Sequence, residues 1–177
     1  MVIWITGLSG AGKSTVCNRL WDLLKPTIPE LVLLDGDTVR EIFGSQLGYS
    51  EAERRIQIGR IQSLAKELDR QNLVVLVAAL YAAPDLLARN RELFADYREI
   101  YLDASLELVQ SRDPKGLYAR VRGQENPEVV GIDIPWNAPQ NADLRIDMSS
   151  AGSPDSVAQD IIRIVPRFSD AIASGDL

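Results

Sequence analysis

Gly7-Leu8-Ser9-Gly10-Ala11-Gly12-Lys13-Ser14 carries the spacing G-x-x-x-x-G-K-S of a loop that wraps phosphate. Its glycines let backbone amides turn inward around phosphate oxygens, and a helix starting at the loop's end adds the positive end of its dipole. Lys13 places a cation at the β- and γ-phosphates. The Ser14 hydroxyl suits Mg²⁺, with Thr15 beside it. ATP and Mg²⁺ are therefore the expected ligands, held by Gly7, Ser9, Gly10, Ala11, Gly12, Lys13, Ser14 and Thr15.

A second constellation follows at Leu33-Leu34-Asp35-Gly36-Asp37-Thr38-Val39-Arg40. Gly36 permits a tight turn, so that Asp35 and Asp37 can both face the phosphates. A carboxylate there can accept a proton from an acceptor hydroxyl, or hold the metal through water. Arg40, one helical turn beyond Asp37, can clamp an anionic acceptor in bidentate fashion. The plainer reading makes Asp37 a helix N-cap and leaves Arg40 solvated. The chain has no histidine, so proton transfer near neutral pH falls to a carboxylate, Lys, Tyr or the substrate itself. A switch GTPase would carry Asn-Lys-x-Asp, which is missing, and Asp113-Pro114-Lys115-Gly116 follows a helix-like segment instead of a strand. A small-molecule kinase fits better. Lys13, Ser14 and Asp37 together argue against an idle nucleotide-binding module.

These groups need a scaffold, and the apolar pattern supplies one. Val2–Thr6, Leu31–Leu34, Leu73–Ala78, Glu99–Leu102 and Leu144–Met148 read as strands, several apolar enough to be buried on both faces. Helices are expected from about Lys13 to Lys25, from Ser50 to about Arg70, from about Pro84 to Phe94, and from Ser153-Pro154 onward. Ser50 and Glu53 fit a capping box, and Ser153-Pro154 a serine cap with proline at the first helical position. Such alternation predicts an α/β fold with a parallel sheet, and together with the phosphate loop it resembles the P-loop NTPases of the nucleoside-monophosphate-kinase type. The sheet would carry helices on both faces. Ligands of open parallel sheets bind at the C-terminal ends of the strands, where both constellations lie. The segment 112–139 lacks a clear period and reads as a loop-rich lid.

At 177 residues the chain is expected to form one domain over residues 1–170, ending in a frayed tail at 171–177. The net charge of −6, from 19 basic and 25 acidic residues, shows no basic stripe for nucleic acid. One cysteine and no histidine exclude an internal disulfide and a structural zinc site. The longest apolar run, Leu73 to Ala83, is about 11 residues against the roughly 20 a membrane span needs. Met1 leads straight into Val-Ile-Trp-Ile, so a cytoplasmic protein is expected. Arg112, Lys115, Arg120 and Arg122 form a basic cluster suited to phosphate. Tyr81 ends a strand facing the site, and Trp136 offers either a base platform or a pin for the lobe.

Gly7–Thr15 (GLSGAGKST), Leu34–Arg40 (LDGDTVR), Leu47-Gly48-Tyr49-Ser50 with Arg54, Arg112–Tyr118 (RDPKGLY), and Gly131-Ile132-Asp133 followed by Pro135 and Ala138-Pro139 resemble the adenylylsulfate kinases, in family order. The resemblance implies transfer of the ATP γ-phosphate to the ribose 3′-hydroxyl of adenylylsulfate by a homodimer. Asp37 would be the base-like residue, Arg40 and Arg54 would grip the acceptor's phosphate, and Arg112 and Lys115 would belong to the ATP-side lid. The acceptor site would further draw on Asp35, Gln57, Tyr81, Val129, Gly131 and Ile132. Three departures fall on this side. Gln57 stands where the family has Asn, Tyr81-Ala82-Ala83 replaces Ile-Ser-Pro, and Pro127–Gly131 (PEVVG) replaces Lys-Asn-Phe-Thr-Gly. The last removes an aromatic and a lysine. The same pattern also resembles cytidine diphosphoramidate kinases of polysaccharide modification, for which Val129-Val130-Gly131 would offer a smaller apolar wall.

Overall fold

The five apolar runs pair into one parallel sheet in the computed structural model, which describes residues 1–44, 47–113, 116–121 and 127–174. The strands are β1 (Val2–Thr6), β2 (Leu31–Asp35), β3 (Val74–Ala79), β4 (Tyr97–Asp103) and β5 (Leu144–Asp147), in the order β2-β3-β1-β4-β5. β1 and β3 are buried along their whole length, as strands covered on both faces must be. β4 begins at Tyr97, earlier than the expected Glu99, because Tyr97 pairs with Val2 of β1.

Helix α1 (Lys13–Leu24) buries Val16, Cys17, Leu20 and Leu24, a stripe at helical spacing. It packs with α7 (Pro154–Ile164) and α8 (Pro166–Ser174) in one layer. The opposite layer holds α2 (Gly36–Ile42), α3 (Glu51–Arg70) and α4 (Pro84–Leu93). The capping box forms as read: the Glu53 amide donates to Ser50 Oγ while the Glu53 carboxylate accepts from the Ser50 amide. Ser153 likewise caps α7, with Pro154 at its first position.

Three helices go beyond the sequence reading. α2, α5 (Leu106–Arg112) and α6 (Leu117–Val121) span only seven, seven and five residues, too short to show a repeat of 3.6. The expected frayed tail is corrected in part, since α8 continues to Ser174 and anchors through the fully buried Phe168. Residues 175–177 lie outside the described residues. Among the described residues, no helix is long and apolar enough to cross a membrane.

Candidate active site

β1 delivers the chain to the phosphate loop at Gly7, which passes against β4 so closely that a Cβ there would lie 2.6 Å from the Leu102 carbonyl oxygen. The loop ends at Gly12, whose φ of 100° is the left-handed conformation glycine tolerates without strain. α1 starts at the next residue. Lys13 Nζ lies over the loop, donating to the carbonyls of Gly7 (2.9 Å) and Leu8 (2.8 Å). Ser14 Oγ donates to Asp35 Oδ2 at 2.5 Å.

Asp35, the last residue of β2, joins two elements. Its Oδ1 accepts from the Asp37 amide at 2.9 Å and so caps α2. The capping role considered for Asp37 therefore belongs to Asp35. Asp37 stands exposed in the first turn of α2. Buried Gln57 on α3 donates its amide to the Gly36 carbonyl (3.1 Å), tying α3 to the start of α2. Its Oε1 is buried without a hydrogen-bond partner.

Two cavities open along this edge. The first, about 440 Å³, is lined by the loop from Ser9 to Val16, by Asp35, Gly36 and Asp37, and at its far end by Arg112, Met148, Gly152, Pro154 and Val157. Arg112 closes α5 and donates to the Met148 carbonyl (3.1 Å). The second, about 380 Å³, is lined by Arg40, Glu41, Tyr49, Arg54, Gln57, Tyr81, Leu117, Arg120 and the segment 127–130. Ser9, Gly36, Asp37 and Leu80 line both.

In the second cavity Arg40 donates to the carbonyls of Leu47 (3.0 Å) and Gly48 (2.8 Å). Arg54 donates to those of Tyr49 (2.7 Å) and Glu128 (2.6 Å). Both guanidiniums approach the Tyr49 ring, at 4.7 and 5.4 Å from its centroid, within cation–π range. Burial, then the neighbouring Arg40, lowers the Arg54 pKa; the group stays charged at neutral pH. Tyr81 donates its hydroxyl to Glu51 (2.6 Å), and burial pushes its pKa up to about 12, so it serves as a hydrogen-bond donor and not as a base near neutrality. Val129 and Val130, both buried, give this cavity an apolar wall.

The structure thus gathers Ser9 to Thr15, Asp37 and Arg112 around the first cavity, and Arg40, Arg54, Gln57, Tyr81 and Val129 around the second. Gly7, expected to hold ATP, lines neither cavity and packs instead against the Leu102 carbonyl of β4; further expectations shift as well. Asp35 lines only the first cavity, because its carboxylate is taken up by Ser14 and the cap of α2. Gly131 and Ile132 line neither. A tight turn, in which the amides of Ile132, Asp133 and Ile134 converge on the Val129 carbonyl, carries them to a third cavity beside Trp136. Lys115 and Arg122 lie outside the described residues. Trp136 donates to Tyr101 Oη (3.3 Å) and packs on its ring, so it pins the segment to β4. Sequence reasoning missed the lining by Met148, Gly152 and Pro154, although the rule that ligands sit past the strand ends pointed there. It also assigned no role to Tyr49, within a motif it had marked.

A family model described as adenylylsulphate kinase matches residues 1–147. The adenylyl-sulfate kinase of Geotalea uraniireducens (strain Rf4) is 42% identical over 171 residues, which span 96% of this chain and 82% of that protein. That of Vibrio cholerae serotype O1 is 40% identical over 160 residues, spanning 89% and 74%. The solved structure of the Mycobacterium tuberculosis APS kinase in complex with AMPPNP and APS is 36% identical, with a TM-score of 0.85 over 93% of this chain and 96% of that one.

Proposed function

Because the chain belongs to the adenylylsulfate kinase family, we propose that it transfers the γ-phosphoryl group of ATP to the ribose 3′-hydroxyl of adenylylsulfate. The observation that carries this reading is the wall common to two cavities, with Asp37 on it. The phosphate loop marks the first cavity as the ATP side, and Arg40 and Arg54 mark the second as the side for an anionic acceptor. Similarity to the enzyme solved with AMPPNP and APS supports the same pair of ligands.

Ser9 to Thr15 hold the triphosphate, and Lys13 neutralises charge at its outer end. Arg112 stands over the far end of the nucleotide cavity. Arg40 and Arg54 hold the acceptor's anionic group. Asp37 accepts the proton as the 3′-oxygen attacks phosphorus, the bond to the β-phosphate oxygen breaks and ADP leaves. No covalent enzyme intermediate is needed, because such transfer depends on alignment and charge neutralisation. The oxygens of Ser14 and Asp35 lie together at the first cavity. Such a pair suits Mg²⁺, which takes one or two protein oxygens and completes its shell with phosphate and water. When bound, that ion supplies charge neutralisation at the phosphates. The segment 112–139 serves as the lid, and the enzyme works as a homodimer.

A coupled assay of ADP release with ATP, Mg²⁺ and adenylylsulfate tests the reading. Asp37→Asn should lower turnover by about 10²–10⁴-fold, the usual worth of a general base, while AMPPNP still binds; unchanged turnover refutes the role. The buried Val129–Val130 wall favours one rival acceptor, a cytidine nucleotide phosphorylated at the same hydroxyl. Run in parallel, adenylylsulfate should exceed it in kcat/KM, and the reverse order would reassign the acceptor.

A further inference from the structure

Tyr118 belongs to neither substrate cavity, yet it connects them. It lies on the short helix α6, its ring buried. Its hydroxyl donates to the Ser9 carbonyl in the phosphate loop at 3.1 Å. Burial pushes the phenol pKa up to about 12, so the donor proton stays in place across the neutral range. On the other side, α6 presents Leu117 and Arg120 to the acceptor cavity. The start of the helix is fixed by one carboxylate: Asp113 Oδ1 accepts from the Tyr118 amide (3.2 Å) and Oδ2 from the Ala119 amide (2.9 Å). The Tyr118 hydroxyl therefore ties a tethered acceptor-side helix to the backbone of the nucleotide-side loop.

Peptide geometry gives that tie a consequence. The Ser9 carbonyl and the Gly10 amide share one planar trans unit, so they point in opposite directions. Gly10 lines the ATP cavity. A phosphate oxygen that draws the Gly10 amide toward it turns the Ser9 carbonyl outward. The Tyr118 hydroxyl bond favours whatever orientation presents that carbonyl to α6.

We propose that Tyr118 is a positioning residue that couples the two substrate cavities, its bond to the Ser9 carbonyl favouring the peptide orientation that a bound phosphate also favours. Occupancy of the ATP cavity then steadies Leu117 and Arg120 at the acceptor cavity, and by reciprocity the acceptor tightens ATP by the same factor. A coupling carried by one neutral hydrogen bond should be about fivefold. The proposal rests on the assignment of ATP and adenylylsulfate to these cavities.

Calorimetric titration of the full chain with AMPPNP and adenylylsulfate, singly and together, tests it. In the wild type each ligand should tighten the other about fivefold. Tyr118→Phe keeps the ring and removes the donor, so each ligand alone should bind within about twofold of wild type while the coupling factor falls to about one. Asp113→Ala, which loosens α6 without touching Ser9, should lower the factor in the same direction. A role in packing alone would lower Tm and leave the factor unchanged; that result, or a wild type without coupling, overturns the proposal while leaving the substrate assignment standing. A wild type that binds neither ligand overturns both.

Discussion

Replacing Gly7 by alanine tests whether the loop is placed by close approach to the sheet. The added methyl would sit 2.6 Å from the Leu102 carbonyl oxygen and 3.3 Å from Ala11 Cβ. A carbon–oxygen contact relaxes at about 3.3 Å, so loop and strand must part by about 0.7 Å, the difference between the two distances. Neither neighbour can yield cheaply, since Leu102 sits in β4 between β1 and β5 and Ala11 is fully buried. Overpacking of this kind costs about 1–3 kcal/mol. For a chain of this length, about 2 kcal/mol lowers Tm by roughly 4–8 °C. The larger effect is on transfer. The Gly7 carbonyl anchors Lys13 Nζ, so moving Gly7 moves the cation at the reacting phosphate, and a displacement approaching 1 Å costs roughly 100-fold in rate. Thermal unfolding and the coupled ADP assay read the two effects separately. Turnover within twofold of wild type at an unchanged Tm would show that the loop is not held by this contact.

Two further perturbations address the acceptor side and the fold. Arg54→Ala should raise the KM for adenylylsulfate about 10–100-fold, the worth of a hydrogen bond to a charged group, with the KM for ATP within twofold; equal rises in both would place Arg54 outside the acceptor cavity. Glu99, 2% exposed, has its carboxyl pKa raised by burial and by Asp143, against lowering by Arg91 and the Tyr97 hydroxyl. Its folded value thus exceeds the unfolded one of about 4.3, so it contributes stability below that pH which is lost as pH rises through the folded value. Glu99→Gln should therefore gain in Tm relative to wild type between pH 4 and pH 7, and parallel Tm curves over that range would contradict the sign.

The nucleotide side was legible because backbone atoms do most of its work. Amides need only glycines, a lysine and a hydroxyl at fixed spacing, and that spacing survives in the linear sequence. The acceptor side is assembled from side chains distant in the chain: Arg54 bonds the Glu128 carbonyl 74 residues away. Local pattern carries no record of such contacts. Gly131 and Ile132 line the third cavity and not the acceptor cavity for a related reason. The left-handed φ of 91° at Gly131 reverses the chain immediately after Val130, so neighbours in sequence face different cavities.

What sets the two cavities edge to edge is strand register. Thr6 pairs with Ala79 and Asp35 with Ala78. Gly7, Leu80 and Gly36, each the first residue past its strand, therefore emerge along one rim of the sheet. Leu80 and Gly36 line both cavities, while the chain after Gly7 becomes the phosphate loop. A slip of β2 by one residue against β3 would turn Asp35 to the opposite face. It would break the bond to Ser14 and the cap of α2 together, and carry Asp37 off the shared wall. The apolar run of β3 from Val74 to Ala79 is buried throughout and would accept either face of β2, so the slip is opposed by the contacts it would break, the Ser14–Asp35 bond and the cap of α2.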